Sequence, residues 1–410
     1  MVDMFEANFI FLSNDEVLVN QYSFSLESRD KAVLKQNLEI KSSFLDQYIN
    51  TIKEGNCSLV INPRIPNLAK TAIAKKVEEV QSDLQCGHIV CSSGTTSKIS
   101  MPKAFYFQIE KVIGNAKAHN RSLNLENNIN ILFPLPLTHS FGIVVGVWGS
   151  LLAKSKTYIL NQGFSVSQLF DAIRLYRIDL LYLTPSLVRQ IIKFSSRYKK
   201  EIISPKKISI GSSSLFYEDI VSLRKLFPDA ELYYTYGLTE MGPRVSTYRV
   251  EDNDRTSGPL PIGEPLEGVS LKGDSELKVS SKYCSRIFEG SYYDTQDSIV
   301  KIGSEIFLKG RKDDTIIYQG INIYPHEVEA LMVNVGGVKE AVLIGSDSIL
   351  HGQVPILVVN GELEPNEIFE HLKQYLPETH IPKKILYVDD FPKTSLGKIR
   401  KNLLKSILKL

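Results

Sequence analysis

Tyr233-Tyr234-Thr235-Tyr236-Gly237-Leu238-Thr239-Glu240-Met241-Gly242 opens in an apolar, aromatic run and closes in a turn. Glu231 to Tyr234 reads as the end of a buried strand, and Gly237 lets the backbone bend tightly beside whatever binds there. A hydroxyl and a carboxylate follow at once. Thr239 can donate to a phosphate oxygen while Glu240 holds the Mg2+ that accompanies it. The same pair suits a helix start, so this stretch alone leaves both readings open.

Upstream, apolar runs recur at His88 to Cys91, Ile129 to Phe133, Lys156 to Leu160, Asp179 to Leu183 and Lys207 to Ile210, before Glu231 to Tyr234. Helical patterns such as Gln168 to Tyr176, Leu187 to Phe194 and Glu218 to Phe227 lie between them. Short strands alternating with helices imply crossover units and a largely parallel sheet, with ligands bound beyond the strands' carboxyl ends. The loops after Cys91, Phe133, Ile210 and Tyr234 are expected to converge on one crevice.

Ahead of this lies a short leading region, residues 1–87. It has a hairpin across Ser13-Asn14-Asp15, helical patterns at Ser43 to Ile52 and Leu68 to Val80, and a strand at Ser58 to Asn62. After Thr247 come short glycine- and proline-punctuated strands, then a boundary near Gly310. The fold class is therefore α/β: a large domain, 1–309, with one or more mainly parallel sheets flanked by helices and a small β region, followed by a small mobile α+β domain, 310–410.

The 410 residues carry 48 basic and 46 acidic side chains, so the charge balance lacks the footprint of a nucleic-acid binder. Four cysteines without CxxC spacing indicate neither a zinc site nor a disulfide framework and suggest a reducing compartment. No stretch reaches the ~20 apolar residues of a membrane span, and a cytoplasmic location is expected.

Three other stretches carry polar chemistry. Ser92-Ser93-Gly94-Thr95-Thr96-Ser97-Lys98, with Pro102-Lys103 behind it, offers hydroxyls, freed backbone N–H groups and lysines to polyphosphate oxygens, or is a solvated turn. It is not the P-loop, because no second glycine precedes a Lys-Ser or Lys-Thr pair. Pro134 to Gly142 contains His139, which either sits over a carboxylate-bearing substrate or caps a helix starting near Ser140. Pro392 to Lys398 is a turn that can present an ammonium, unless Lys398 simply begins the basic tail that runs to Lys409.

Taken in order, Ser92 to Thr96 with Lys103, Pro136 to Gly142, Gly211 to Leu215, Tyr236 to Glu240, Asp297, Gly310 to Asp314 with Gly320, and Pro392 to Lys398 resemble the motif series of the adenylate-forming superfamily. That superfamily holds acyl- and aryl-CoA synthetases, nonribosomal adenylation domains and luciferases. The resemblance covers residue 88 to the C-terminus.

It implies ATP and Mg2+ as cofactors. Ser92, Ser93, Gly94, Thr95, Thr96 and Lys103 would hold the outer phosphates. Thr239 would contact the α-phosphate and Glu240 the Mg2+. Tyr236 and Gly237 would lie against the adenine, with Gly211, Ser212 and Ser213 along its edge. Asp297, helped by Arg311, would accept the ribose hydroxyls.

Lys398 would bridge the substrate carboxylate and the α-phosphate, two anions that otherwise repel. The small domain would then swing about Asp313, withdraw Lys398 and bring Gly320 toward a thiol. The implied reaction is adenylation of a carboxylic acid, then transfer to the phosphopantetheine of a carrier protein or CoA.

Ser97 and Gln296 stand where glycine is usual in the superfamily, and the leading region is short. Leu137-Thr138-His139-Ser140-Phe141 lacks the aspartate that amino-acid-activating members carry. An aryl acid such as a hydroxybenzoate, loaded for siderophore assembly, is the expected substrate. A fatty acid, an amino acid and a non-catalytic nucleotide-binding scaffold are the alternatives.

Overall fold

The computed structural model describes residues 5–12, 17–24, 34–37, 42–60, 84–91, 103–160, 163–198, 200–251, 255–333, 335–348, 350–394 and 397–410. A nine-stranded sheet runs in the order Glu264–Pro265, Ser246–Arg249, Glu231–Tyr236, Lys207–Gly211, Leu180–Leu183, Asn130–Phe133, Lys156–Leu160, Phe5–Leu12, Val17–Phe24. The six strands from Glu231–Tyr236 to Phe5–Leu12 are parallel, and the outer ones antiparallel.

Both faces of this sheet are covered, which is why its strands read as continuous apolar runs. Leu181 and Leu183 pack under the helices Val166–Tyr176, Pro185–Ser195 and Tyr217–Leu226, while Leu180 and Tyr182 face Phe133, Phe141 and Val145. The first of these helices starts at a reciprocal cap between Ser165 and Gln168. The second starts where the Thr184 hydroxyl accepts from the Leu187 N–H, with Pro185 in the first turn.

One strand departs from the sequence expectation. Gly87–Cys91 lies in a separate four-stranded sheet with Leu34–Asn37, Cys57–Val60 and Ala104–Gln108. Apolar runs declare strands but not their partners, and here the antiparallel return Ala104–Gln108 claims one edge. The helix pattern at Leu68 to Val80 and the turn at Ser13-Asn14-Asp15 lie outside the described residues.

The loop after Asn130–Phe133 enters a buried helix of wide π-type turns, Gly142–Gly149. A Cβ on Gly142 would stand 2.2 Å from the Pro136 carbonyl oxygen, so only glycine lets the loop lie back on the helix start. Helix Ile109–Ser122 packs against this segment through Val112, Ile113 and Ala116. That packing fixes the position of His139 and Ser140.

Downstream, Val269–Lys272, Glu276–Ser281, Tyr293–Ile302 and Glu305–Arg311 make an antiparallel sheet. The chain crosses Lys312–Asp314 into the last sheet, built from Ile316–Tyr318, Ile321–Ile323, Val338–Ser348, Gly352–Gly361 and Lys384–Tyr387. Helices Pro325–Met332 and Pro365–Lys373 cover one face of it, and Leu404 of helix Lys401–Leu408 packs on the other. No described helix is long and apolar enough to cross a membrane.

Candidate active site

The Tyr236 hydroxyl, at the end of its strand, donates to Asp297 Oδ2 at 2.5 Å, and both side chains are buried. Arg311 is the cross-strand partner of Asp297, with Nη1 4.0 Å from Asp297 Oδ1. Burial raises the Asp297 pKa above the usual aspartate value, against the pull of the Tyr236 hydroxyl, Arg311 and Lys398. A half-satisfied buried carboxylate of this kind suits a ligand that brings two hydroxyl donors.

Lys398 reaches the same cluster from the other domain. Its loop closes on itself through the Thr394 N–H to the Lys398 carbonyl (2.8 Å) and the Lys398 N–H to Thr394 Oγ1 (3.1 Å). It rests on the large domain at Gly397, where an added Cβ would meet Ser186 Oγ at 3.1 Å. The lysine keeps exposed surface, but the protein atoms walling the crevice desolvate its ammonium and lower its pKa, while Asp314 and Asp297 act in the opposite sense.

Thr239 and Glu240 form a short 3-10 turn, Thr239–Met241, rather than the start of a long helix. The Thr239 and Ser140 hydroxyls lie 2.9 Å apart and tie two loops together. Burial raises the Glu240 pKa, opposed by Arg311, Lys103 and the Tyr293 hydroxyl. Among the described residues no group of three His, Cys, Asp or Glu could hold a metal alone. Glu240 would offer its carboxylate to a Mg2+ brought in with ATP, which would supply Lewis-acid charge to the phosphates.

His139 is neutral: burial, with Arg244 adding to it, lowers its pKa to about 4. Its Nδ1 accepts from the Phe141 N–H at 3.3 Å, which leaves the proton on Nε2 as a donor. Ser212 adopts a φ of +97°, a strained conformation for a residue with a Cβ, beside buried Gly211 and exposed Ser213. Gly237 packs its α-carbon on the Pro243 carbonyl. Gly320 lies apart, at the exposed tip of the hairpin Ile316–Tyr318/Ile321–Ile323. Ser92, Ser93, Gly94, Thr95 and Thr96 fall outside the described residues.

Two neighbours were not anticipated. Tyr293 shares the inward parity of Asp297 along Tyr293–Ile302, so strand alternation carried a signal for it. Arg244 is buried beneath Gly211 and Gly237, and nothing in Gly242-Pro243-Arg244 distinguishes it from an exposed turn arginine.

The sequence matches the family of AMP-binding enzymes over residues 18–278 and their C-terminal domain over 327–398. The first match spans more than half of the chain, which therefore belongs to the AMP-binding enzyme family, the adenylate-forming ligases that use ATP with Mg2+. Among relatives, VraA of Staphylococcus epidermidis, whose name suggests a long chain fatty acid-CoA ligase, is 27% identical over 78% of this chain and 71% of its own length. The 2-succinylbenzoate-CoA ligase of Lactococcus lactis is 28% identical over 77% of this chain and 70% of its own. ATP-bound MatB from Rhodopseudomonas palustris shares the fold with a TM-score of 0.79 at 18% identity, covering 98% of this chain and 96% of that one.

Proposed function

We propose that the enzyme activates an aryl carboxylic acid. A carboxylate oxygen of the acid attacks the α-phosphorus of ATP, the bond to the β-phosphate bridging oxygen breaks, and pyrophosphate leaves. A thiol, of CoA or of a carrier-bound pantetheine, then displaces AMP from the acyl carbon. The observation that carries this reading is the convergence of Lys398 with Asp297 and Arg311 across the two domains.

In this reading Lys398 neutralises the two anions of the first step, Asp297 and Arg311 hold the ribose, Tyr236 backs the adenine, and Thr239 meets the α-phosphate. Glu240 and Lys103 flank the phosphates, and the His139 Nε2–H steadies the acid. Rotation about Asp313 would exchange Lys398 for Gly320 before the thiol step. The preference for an aryl acid draws support from the name of the Lactococcus lactis relative.

Acid-dependent exchange of labelled pyrophosphate into ATP tests it. Exchange with aryl acids is expected, strong exchange with fatty acids alone would move the assignment to acyl chains, and no exchange across the panel would overturn it.

A further inference from the structure

Ser140 stands at the entry to the buried helix Gly142–Gly149 and is 2% exposed. Its hydroxyl lies 2.9 Å from Thr239 Oγ1, and among the described residues it has no other hydrogen-bond partner. Thr239 is half-buried and keeps part of its surface open.

Each hydroxyl has one proton and two lone pairs, so one proton bridges the pair and the other must find its own acceptor. If Thr239 donated, the Ser140 proton would be left inside the protein with nothing to accept it, a costly state for a buried donor. If Ser140 donates, the leftover proton is that of Thr239, on the partly open side chain, where solvent or a ligand oxygen can accept it. The difference in burial therefore sets the direction: Ser140 donates and Thr239 accepts.

The backbones hold both groups in place. The His139 carbonyl accepts from the Ile143 N–H at 2.9 Å, and the Phe141 N–H donates to His139 Nδ1 at 3.3 Å, which pins the loop on either side of Ser140. Across the pair, the Leu238 carbonyl accepts from the Met241 N–H at 3.0 Å, and the Glu240 carbonyl accepts from the Ser285 N–H at 3.0 Å. A hydroxyl that accepts a hydrogen bond is also a stronger donor, because the two bonds polarise the same oxygen.

We infer that Ser140 is a positioning residue for adenylation: by donating to Thr239 Oγ1 it aims the Thr239 proton at an α-phosphate oxygen and strengthens that contact as charge builds there. The inference rests on the ligase reading above. The test is a double-mutant cycle on pyrophosphate exchange, run with whichever acid of the panel the wild-type enzyme uses best. Ser140→Ala should lower kcat by roughly 10-fold and leave the KM for ATP within about 2-fold, since the contact strengthens in the transition state. Thr239→Ala should lower kcat at least as far. Adding Ser140→Ala to it should change kcat by less than about 2-fold, because no proton remains to be aimed. Ser140→Cys, a weak donor of nearly the same size, should fall between serine and alanine.

A wild-type kcat in Ser140→Ala, or losses that multiply in the double variant, would overturn the inference and leave the ligase reading standing. A rise in KM alone would do the same. Should Ser140→Ala fail to fold, the cycle is run with Ser140→Cys under the same criteria. A wild-type enzyme that exchanges with no acid would remove the ligase reading and this one with it.

Discussion

Asp313 grips Arg311 at two points, accepting from Nε at 2.9 Å and from Nη2 at 3.2 Å, so that the remaining arm, Nη1, is turned toward Asp297. The residue at the expected hinge thus orients the group that faces Asp297. Asp313→Ala should raise the KM for ATP by roughly 3- to 10-fold, the usual worth of a partly exposed charge-assisted pair. An unchanged KM in initial-rate measurements would disconnect hinge from nucleotide site.

Lys398→Ala should lower acyl-adenylate formation by about 100-fold or more while leaving thiol transfer from pre-formed acyl-adenylate much less affected. Equal loss in both half-reactions would contradict the assignment. Desolvation lowers the Lys398 pKa, so the cation is lost at a lower pH than for a free lysine. The alkaline limb of the adenylation rate should therefore begin below the ordinary lysine value and shift upward in Lys398→Arg.

Burial holds four histidines neutral, His88 near pKa 3, His139 and His326 near 4, and His119 well below the ordinary value. The unfolded chain binds more protons than the folded one between those values and about 6.5, so stability is complete above that pH and falls as pH drops through the window. Asp297, Glu240 and Glu327, with raised pKa values, act in the opposite sense but are fewer than the four histidines. Thermal melts from pH 7.5 to 5 should move steadily downward, and His326→Gln should flatten the slope. A melting temperature that rises on acidification would refute this.

Asp297→Asn separates stability from function. A carboxylate whose pKa is raised by burial is harder to keep charged in the folded state, so its amide should melt at or above the wild-type temperature at pH 7.5. The same substitution should raise the KM for ATP. A marked drop in melting temperature would mean that the charged carboxylate is a structural anchor.

Gln296 sits at φ +61° in strand Tyr293–Ile302, beside Asp297. A left-handed conformation costs a non-glycine residue about 1 kcal/mol. Gln296→Gly should leave the melting temperature unchanged or higher, whereas Gln296→Val should lower it. Equal effects of the two would show that φ is not what matters at this position.

Much of this was legible because buried strands and glycine turns leave local marks. Lys156 to Leu160 was bounded as the structure has it, and Glu231 to Tyr234 proved two residues longer because Thr235 and Tyr236 continue the ladder. Strand partnership left no such mark, which is why Gly87–Cys91 was assigned to the wrong sheet. Arg244 was missed for a related reason. Burial of a cation depends on Asn115 and Phe141, more than a hundred residues away in sequence, and no window around Pro243 contains them.

The seat of Gly397 on Ser186 has a mechanical consequence. It works as a depth stop: how far the ammonium penetrates is set by where one domain touches the other, not by the reach of a flexible side chain. Material added at that stop would hold the charge short of its target without altering a single atom of the nucleotide pocket.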